Sequence, residues 1–344
     1  MKEIRIEGGG ICGLALGQAL AAQKVPVTLL EKGRYPRHRV CGEFLAGITP
    51  ATLRVLGLQN LFANAPLART VVWYKGETRI ARHTLPGEVP CQSRFVLDSE
   101  LARRFTAAGG NLQTGQRVNP HEPALEGTVR TLGKASGQSA RLGLKAHFQD
   151  LVLEEVDLEM HLGKNAYVGL TKVENGYVNV CGLFEQKRGL QAQKDQWLPT
   201  YLRASGLHRL ADRISNAHIR PGSFCGVSGF SFGLPETEKE KAASSLSLGD
   251  CHAMIPPFTG NGMTMAMESA ALAFPYLLEY SQGQTDWPQT KRRLAYARDH
   301  SFNGRMQRAV WLQKLLQKEV TQNVLCKIAQ RNLFPFTLIY RLLH

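Results

Sequence analysis

The 344-residue chain lacks long apolar runs: nothing approaches the eighteen consecutive apolar residues that a membrane-crossing helix needs. It lacks a charged-then-apolar leader as well, because an alternating segment, Ile4-Arg5-Ile6, begins almost at once. The expectation is therefore a cytoplasmic protein with no secretory signal. Its seven cysteines are odd in number, contain no C-x-x-C pair and follow no regular spacing, which argues against a disulfide framework or a zinc site. The ten histidines are equally dispersed, so no metal is expected. There is no G-x-S-x-G turn to carry a serine nucleophile, and no internal repeat or low-complexity tract. What remains is a globular chain, 43% hydrophobic and long enough for two interleaved domains.

The glycines carry the first positive signal. Gly8, Gly10 and Gly13 fit G-x-G-x-x-G between the strand-like segment at 4–6 and the helix-forming segment 14–23. At such a turn the missing side chains let the backbone bend tightly, approach a pyrophosphate and pack helix on strand. The helix N-terminus then offers N–H donors and about half a positive charge to the phosphates. A second strand, 25–30, ends at Glu31 and Lys32, eighteen residues past Gly13, where a dinucleotide fold places the carboxylate that binds a ribose 2′-OH. An acid there favours an unphosphorylated ribose, as in FAD or NAD. A G-x-G-x-x-G alone reads equally as a plain turn; the flanking strand, helix and carboxylate favour the dinucleotide.

Far downstream, residues 244–248 read as a strand ending at Gly249-Asp250, after which Pro256, Gly260, Asn261, Gly262 and Met263 lead into a helix from Thr264. This resembles the pattern G-D-A-x-x-x-x-P-x-x-G-x-G-x-x-x-A of the flavoprotein superfamily that contains the class A aromatic monooxygenases, the geranylgeranyl reductases and the flavin-dependent halogenases. The resemblance implies FAD. It places Asp250 on the ribityl chain, Pro256 and the turn beside the isoalloxazine, and Gly260, Asn261, Gly262 and Met263 at a helix start aimed at the flavin N1–C2=O edge. Such a helix end would favour reduced flavin by about 0.3–2 kcal/mol.

Two further segments extend the resemblance. Residues 34–45 include Arg39 and Cys41-Gly42-Glu43, similar to the Cys-Gly step of the reductases and the Gly-Glu step of the halogenases. Residues 94–101 resemble R-x-x-L-D-x-x-L, in which the arginine, here Arg94, lies near the FAD phosphates; Asp98 as an ordinary helix N-cap is the alternative. Class A hydroxylases usually carry a mid-chain Asp-Gly motif, and the nearest stretch here, 135–141, has no Asp. NADH or NADPH is the expected transient electron donor, with the choice between them open. Neither the reductases' aromatic-rich motif nor the halogenases' paired tryptophans is present, and Trp73, Trp197, Trp287 and Trp311 are scattered.

Between the fingerprints, residues 66–96 and 145–185 alternate in the manner of strands. Glu174-Asn175-Gly176 between 167–173 and 177–183 predicts a hairpin, Asn-Gly supplying the positive φ angles of a type I′ turn. Residues 233–241 read as a surface loop. The expected fold is α/β: a discontinuous Rossmann-like FAD-binding domain over 1–70, 95–144 and 240–285, an antiparallel β-sheet substrate domain over 71–94 and 145–239, and a C-terminal helical region over 286–344.

Net charge is +14, yet no basic segment carries a nucleic-acid motif, so no nucleic-acid partner is expected. Residues 291–318 are rich in Lys and Arg, with Val310, Trp311, Leu312, Leu315 and Leu316 on one possible helical face, and the tail 333–343 is apolar. A packing face and a peripheral membrane contact are both open.

Catalytic candidates are few. Cys41 could donate a proton or simply pack, and Glu43 could act as a general acid if burial raised its pKa. His252 and Phe258 lie within the matched motifs, and His147 and His161 sit on expected strands. The function that follows is an FAD-dependent oxidoreductase. Hydroxylation of a hydrophobic aromatic, polyketide or isoprenoid molecule leads, ahead of double-bond reduction, halogenation and a flavin-binding role without turnover.

Overall fold

The computed structural model describes residues 1–343 except 134–139, 155, 188, 191–192, 194–195, 231–245, 318 and 332, and it leaves out the side chains of 316–320. The expected 233–241 loop and most of the 135–141 stretch therefore lie outside the described residues.

β1 (Ile4–Glu7), α1 (Ile11–Ala22) and β2 (Val27–Glu31) form the strand, helix, strand unit that the first glycine turn predicts, and the short α2 (Pro50–Val55) follows. With β5 (Asn111–Thr114), β6 (Thr128–Arg130) and β13 (Leu246–Ser247) they make a five-stranded, wholly parallel sheet in the order β13-β6-β1-β2-β5. Parallel sheets are covered on both faces, and Ile4, Ile6, Leu29 and Val129 are accordingly buried. α1 packs between α3 (Arg94–Ala107) and the twenty-residue α6 (Gly262–Ser281). Strand order reverses between β1 and β6, and the crevice beyond the carboxyl ends at such a switch point is where this architecture binds ligands.

The second sheet has eight strands. β11 (His218–Ile219) and β12 (Cys225–Ser228) both pair with β7 (Arg141–Gln149), followed by β10 (Val178–Glu185), β9 (Ala166–Lys172), β8 (Leu158–Gly163), β3 (Leu67–Lys75) and β4 (Thr78–Pro90). It begins at Leu67 and resumes at Arg141, a few residues ahead of 71 and 145. One pairing departs from the antiparallel expectation: β3 and β8 run parallel. The chain returns to the first sheet between them, so no hairpin dictates their relative direction. The β9–β10 hairpin has positive φ at both Asn175 and Gly176, and the Tyr177 N–H returns to the Glu174 carbonyl at 3.4 Å.

One face of this sheet, with Ala146, Val168, Leu170 and Val180, packs on α4 (Trp197–Ala204) and α5 (His208–Ser215). The other faces the first domain. α7 (Trp287–Gln317), α8 (Glu319–Gln330) and α9 (Phe336–Leu343) finish the chain, with α8 and α9 against β4. No helix among the described residues is long and apolar enough to cross a membrane.

Candidate functional site

The three glycines of the first turn are required for three different reasons. Gly8 has φ +116°, and a Cβ there would lie 2.4 Å from the Thr131 carbonyl oxygen at the end of β6. A Cβ on Gly13 would lie 2.1 Å from the Gly8 carbonyl oxygen, so helix and strand touch at that point. Gly10 is the opposite case: a Cβ there would meet nothing within 4 Å, because the position faces an open cleft. Gly10 is also the N-cap of α1 and has no side chain to offer, so the first N–H groups of the helix point outward uncapped.

The second turn repeats this arrangement. Gly260 is left-handed at φ +71°, with the Phe44 ring 2.3 Å from where a Cβ would be. Asn261 sits at the N-cap of α6 but does not cap it; its amide donates to the Leu343 carbonyl. Two helix N-termini without side-chain caps therefore open onto one cleft of about 770 Å³ between the sheets.

Of the cofactor candidates, Gly8, Gly10, Glu31, Lys32, Arg39, Cys41, Arg94, Asp250, Gly260, Gly262 and Met263 line this cleft. Gly13, Pro256 and Asn261 are buried and do not line it. The structure adds Gln116 to Pro120, Thr131 to Gly133, Ile255 and Pro257. Residues 131–133 follow the switch-point strand β6, a position that topology would reveal once strand order was known; 116–120 carry no sequence signal and arrive through the pairing of β5 with β2.

Glu31 ends β2 as expected, but its carboxylate is already well supplied. It accepts the N–H groups of Gly9 at 2.8 Å and Gly33 at 2.7 Å and pairs with Arg37 at 2.8 Å. These donors outweigh its desolvation and hold its pKa below the usual carboxylate range. Glu31 thus ties down the glycine turn, and a ribose hydroxyl would share its remaining acceptor capacity.

Asp98 is not a helix cap. α3 begins at Arg94, and Ser93 caps it by accepting the Val96 N–H at 3.2 Å. Asp98 lies one turn further in, buried, where it holds the Arg94 guanidinium through contacts of 2.7 and 2.8 Å and approaches Arg39 at 3.3 Å. Asp250 lines the same cleft; the protein walls around its carboxylate push its pKa up to about 6, against the pull of Arg94, although the residue as a whole is exposed.

Behind the cleft lies a cluster of buried charge. Opposed residues in a sheet share a face, and the registers Lys145–Cys181–Gly169–Met160 and His147–Asn179–Thr171 put Lys145 and His147 on the cleft side. Loop 39–44 covers them. Asn179 donates to the carbonyls of Cys41 and Gly42, each at 3.0 Å. Glu43, held at φ +62°, reaches Lys145 Nζ at 3.0 Å, His147 Nε2 at 2.6 Å and the Arg94 N–H at 2.9 Å.

Glu43, Lys145 and His147 are wholly buried. The hydrogen bond from His147 and the charge of Lys145 outweigh desolvation and keep Glu43 ionised, with a lowered pKa. The raised pKa that a general acid needs is thus not what this environment produces. Cys41, beside Arg94, is instead shifted upward by burial and remains a thiol. His38, Glu43 and His147 have the donor types and the proximity of a metal site, but Lys145 Nζ stands 3.0 Å from both His38 Nδ1 and Glu43 Oε1, where a cation would sit.

The candidates His161 and His252 do not line the cleft. His161 is on the far face of the sheet, 2.9 Å from Glu159 and stacked on Tyr74. His252 is buried, with the Asp299 carboxylate 3.6 Å away. Phe258 joins Phe44, Trp73, Met160, Phe334 and Phe336 around an apolar chamber of about 160 Å³ under α8 and α9. Phe44 and Met160 also border the larger cleft.

No protein-family model matches the sequence, and no curated protein matches it. Solved structures do. p-Nitrophenol 4-monooxygenase PnpA from Pseudomonas putida superposes with a TM-score of 0.76 at 13% identity, over 99% of this chain and 96% of its own. The flavin-dependent brominase Bmp2 gives 0.69 at 16%, over 99% and 98%. PqsL from P. aeruginosa, in complex with 2-aminobenzoylacetate, gives 0.68 at 15%, over 98% and 100%. The fold is that of flavin-dependent monooxygenases and halogenases. The similarity extends over nearly the whole length of this chain.

Proposed function

We propose that the protein binds FAD in this cleft and is a monooxygenase that hydroxylates a hydrophobic small molecule. The observation that carries the reading is the pair of uncapped helix N-termini opening onto one cleft beside an apolar chamber. FAD needs anion recognition at its pyrophosphate and at the electron-rich edge of its ring, and helix N-termini supply both. The residues present fit it. Gly10 would leave room for a pyrophosphate, Glu31 fixes the turn that would hold the adenosine end, Arg39 and Arg94 would provide positive charge, and Asp250 would accept from ribityl hydroxyls. FAD supplies the redox chemistry; the chain's own residues orient the molecules and keep water out. The flavin dependence of Bmp2 and the monooxygenase activity of PnpA support the reading.

Anaerobic titration with NADH and NADPH, followed by rapid mixing with oxygen, tests it. Bleaching by one donor and a transient absorbance band before the oxidised spectrum returns are expected. A direct return without a transient favours double-bond reduction, and a purified protein that holds no flavin overturns the proposal.

Asp250 gives a pH-dependent check. Its carboxylate form is the better acceptor for ribityl hydroxyls, so FAD affinity is expected to rise as pH increases through about 6, with up to about tenfold between the protonated and ionised limits. Asp250→Asn should flatten that profile. A profile unchanged in the variant would show that Asp250 does not contact the flavin.

We also propose that the C-terminal helices rest on an anionic membrane surface. Residues 287–344 hold eleven Lys and Arg against two acids. Trp311, Leu333 and Leu338 are 64%, 69% and 58% exposed in the same region. Apolar anchors beside positive charge suit an anionic interface. Flotation with phosphatidylglycerol vesicles is expected to carry the protein, and Trp311→Ser/Leu338→Ser to release it; no flotation of the unaltered protein would refute the contact.

A further inference from the structure

A second large cavity, about 970 Å³, lies beside the cleft and shares Met160, Tyr167 and Leu183 with it. Its charge differs sharply from that of the cleft. The cleft wall mixes Lys32, Arg39, Arg94 and Arg117 with Glu31, Glu43 and Asp250. The second cavity is lined by Lys75, Arg141, Lys164 and Lys327 and, among the described residues, by no carboxylate. Among the described residues these four cations have neutral partners where they have any: Lys75 donates to the Asn323 side chain, and Arg141 to the Asn165 carbonyl at 2.9 Å. Glu185, paired across the strands from Arg141, bonds to the Asn165 amide at 2.8 Å instead.

A concave wall of one sign concentrates potential, and the mutual repulsion of its charges is relieved when a ligand of opposite sign enters. The wall is also graded. Trp73, Tyr167, Leu183 and Phe258 lie toward the cleft and the apolar chamber, whereas Lys164 and Lys327 are at the exposed rim.

We propose that this cavity is the substrate's anion subsite: the substrate is an amphipathic anion, a carboxylate or phosphate on an apolar body. The inference rests on the reading of the neighbouring cleft as the flavin site and adds the substrate's charge and direction. The anionic end stays among Lys75, Arg141, Lys164 and Lys327, and the apolar end passes Met160 and Tyr167 to the flavin. Oxidation therefore falls at the end of the molecule remote from its charge.

Two isosteric probes test this in the flavin-loaded protein without turnover: 4-butylbenzoate and 4-butylbenzyl alcohol, followed by calorimetry and by perturbation of the flavin absorbance. The benzoate is expected to bind about tenfold more tightly or better, the scale of a charge-assisted contact. Lys164→Glu/Lys327→Glu should abolish the preference, and Lys164→Arg/Lys327→Arg should keep it. Lys24→Glu/Lys172→Glu makes the same change in net charge at exposed positions elsewhere and should leave the preference intact. Equal affinity for the two probes overturns the proposal, as does a preference lost equally in the remote pair, which would reflect net charge alone. A protein that binds flavin yet ignores both probes refutes this inference only; one that binds no flavin refutes the proposed function itself.

Discussion

Glu43→Gln is expected to lower the unfolding free energy by about 3–5 kcal/mol, the scale of a broken buried ion pair. The cause is what remains. Lys145 is wholly buried and would be left with only the His38 ring and an amide for company. The same substitution turns one of the two carboxylate oxygens, which between them serve Lys145, the Arg94 N–H and His147, into an NH2 donor, and so loosens loop 39–44, whose positive φ at residue 43 depends on being held from several sides. Denaturant midpoints at constant slope are the measurement, and adding Lys145→Met should recover much of the loss, because replacing both partners costs less than orphaning one. An unchanged midpoint in Glu43→Gln would show that the cluster contributes nothing to holding the loop.

The cluster also sets the direction of acid sensitivity. Glu43 has a lowered pKa in the folded protein, so its contribution is complete above the ordinary value of 4.5 and disappears as pH falls through the folded value. His38 is held down to about 4 by desolvation and by Lys145. The unfolded chain therefore takes up its proton first, and stability falls from about 6.5 toward 4. Glu43→Gln should lose the lower part of this dependence and keep the His38 part.

How much of this was legible in the sequence follows from what local pattern can express. The glycine turns were legible because each glycine answers to backbone geometry within a few residues, and Asn175-Gly176 was legible for the same reason. The Glu43 cluster was not. Lys145-Ala146-His147 has the alternation of a half-exposed strand, and alternation does not say which face is wet; here helices bury one face and loop 39–44 buries the other. Asp98 misled because an acid before a helical run has the signature of a cap, whereas its partner Arg94 is four residues back on the same helix. The partner of the Asn261 side chain, the Leu343 carbonyl, left no local signal because it comes from the far end of the chain. The parallel β3–β8 pairing belongs to the same class, a tertiary fact with no local trace.

Valine at Gly10 and valine at Gly13 are expected to fail in different ways, and the difference isolates the role of the cleft. At Gly13 the new Cβ would stand 2.1 Å from the Gly8 carbonyl oxygen and 2.5 Å from Thr131 Oγ1. The turn cannot yield on that side, so a loss above about 4 kcal/mol and little soluble protein should result. At Gly10 the backbone is extended, φ −86° and ψ −175°, a conformation that valine favours, and no atom lies within 4 Å of the new Cβ. Stability of the flavin-free protein should therefore stay within about 0.5 kcal/mol of the original. The isopropyl group would nonetheless occupy the cleft where a pyrophosphate must approach the N-terminus of α1, and FAD affinity should fall by at least about a hundredfold, roughly 2.7 kcal/mol. Flavin content and thermal midpoint of the stripped protein, measured on both variants, separate the two effects. A Gly10→Val protein that is folded and still fully yellow would mean that no pyrophosphate sits at this turn, and the remaining anion-binding helix end, at Gly262, would have to be explained on its own.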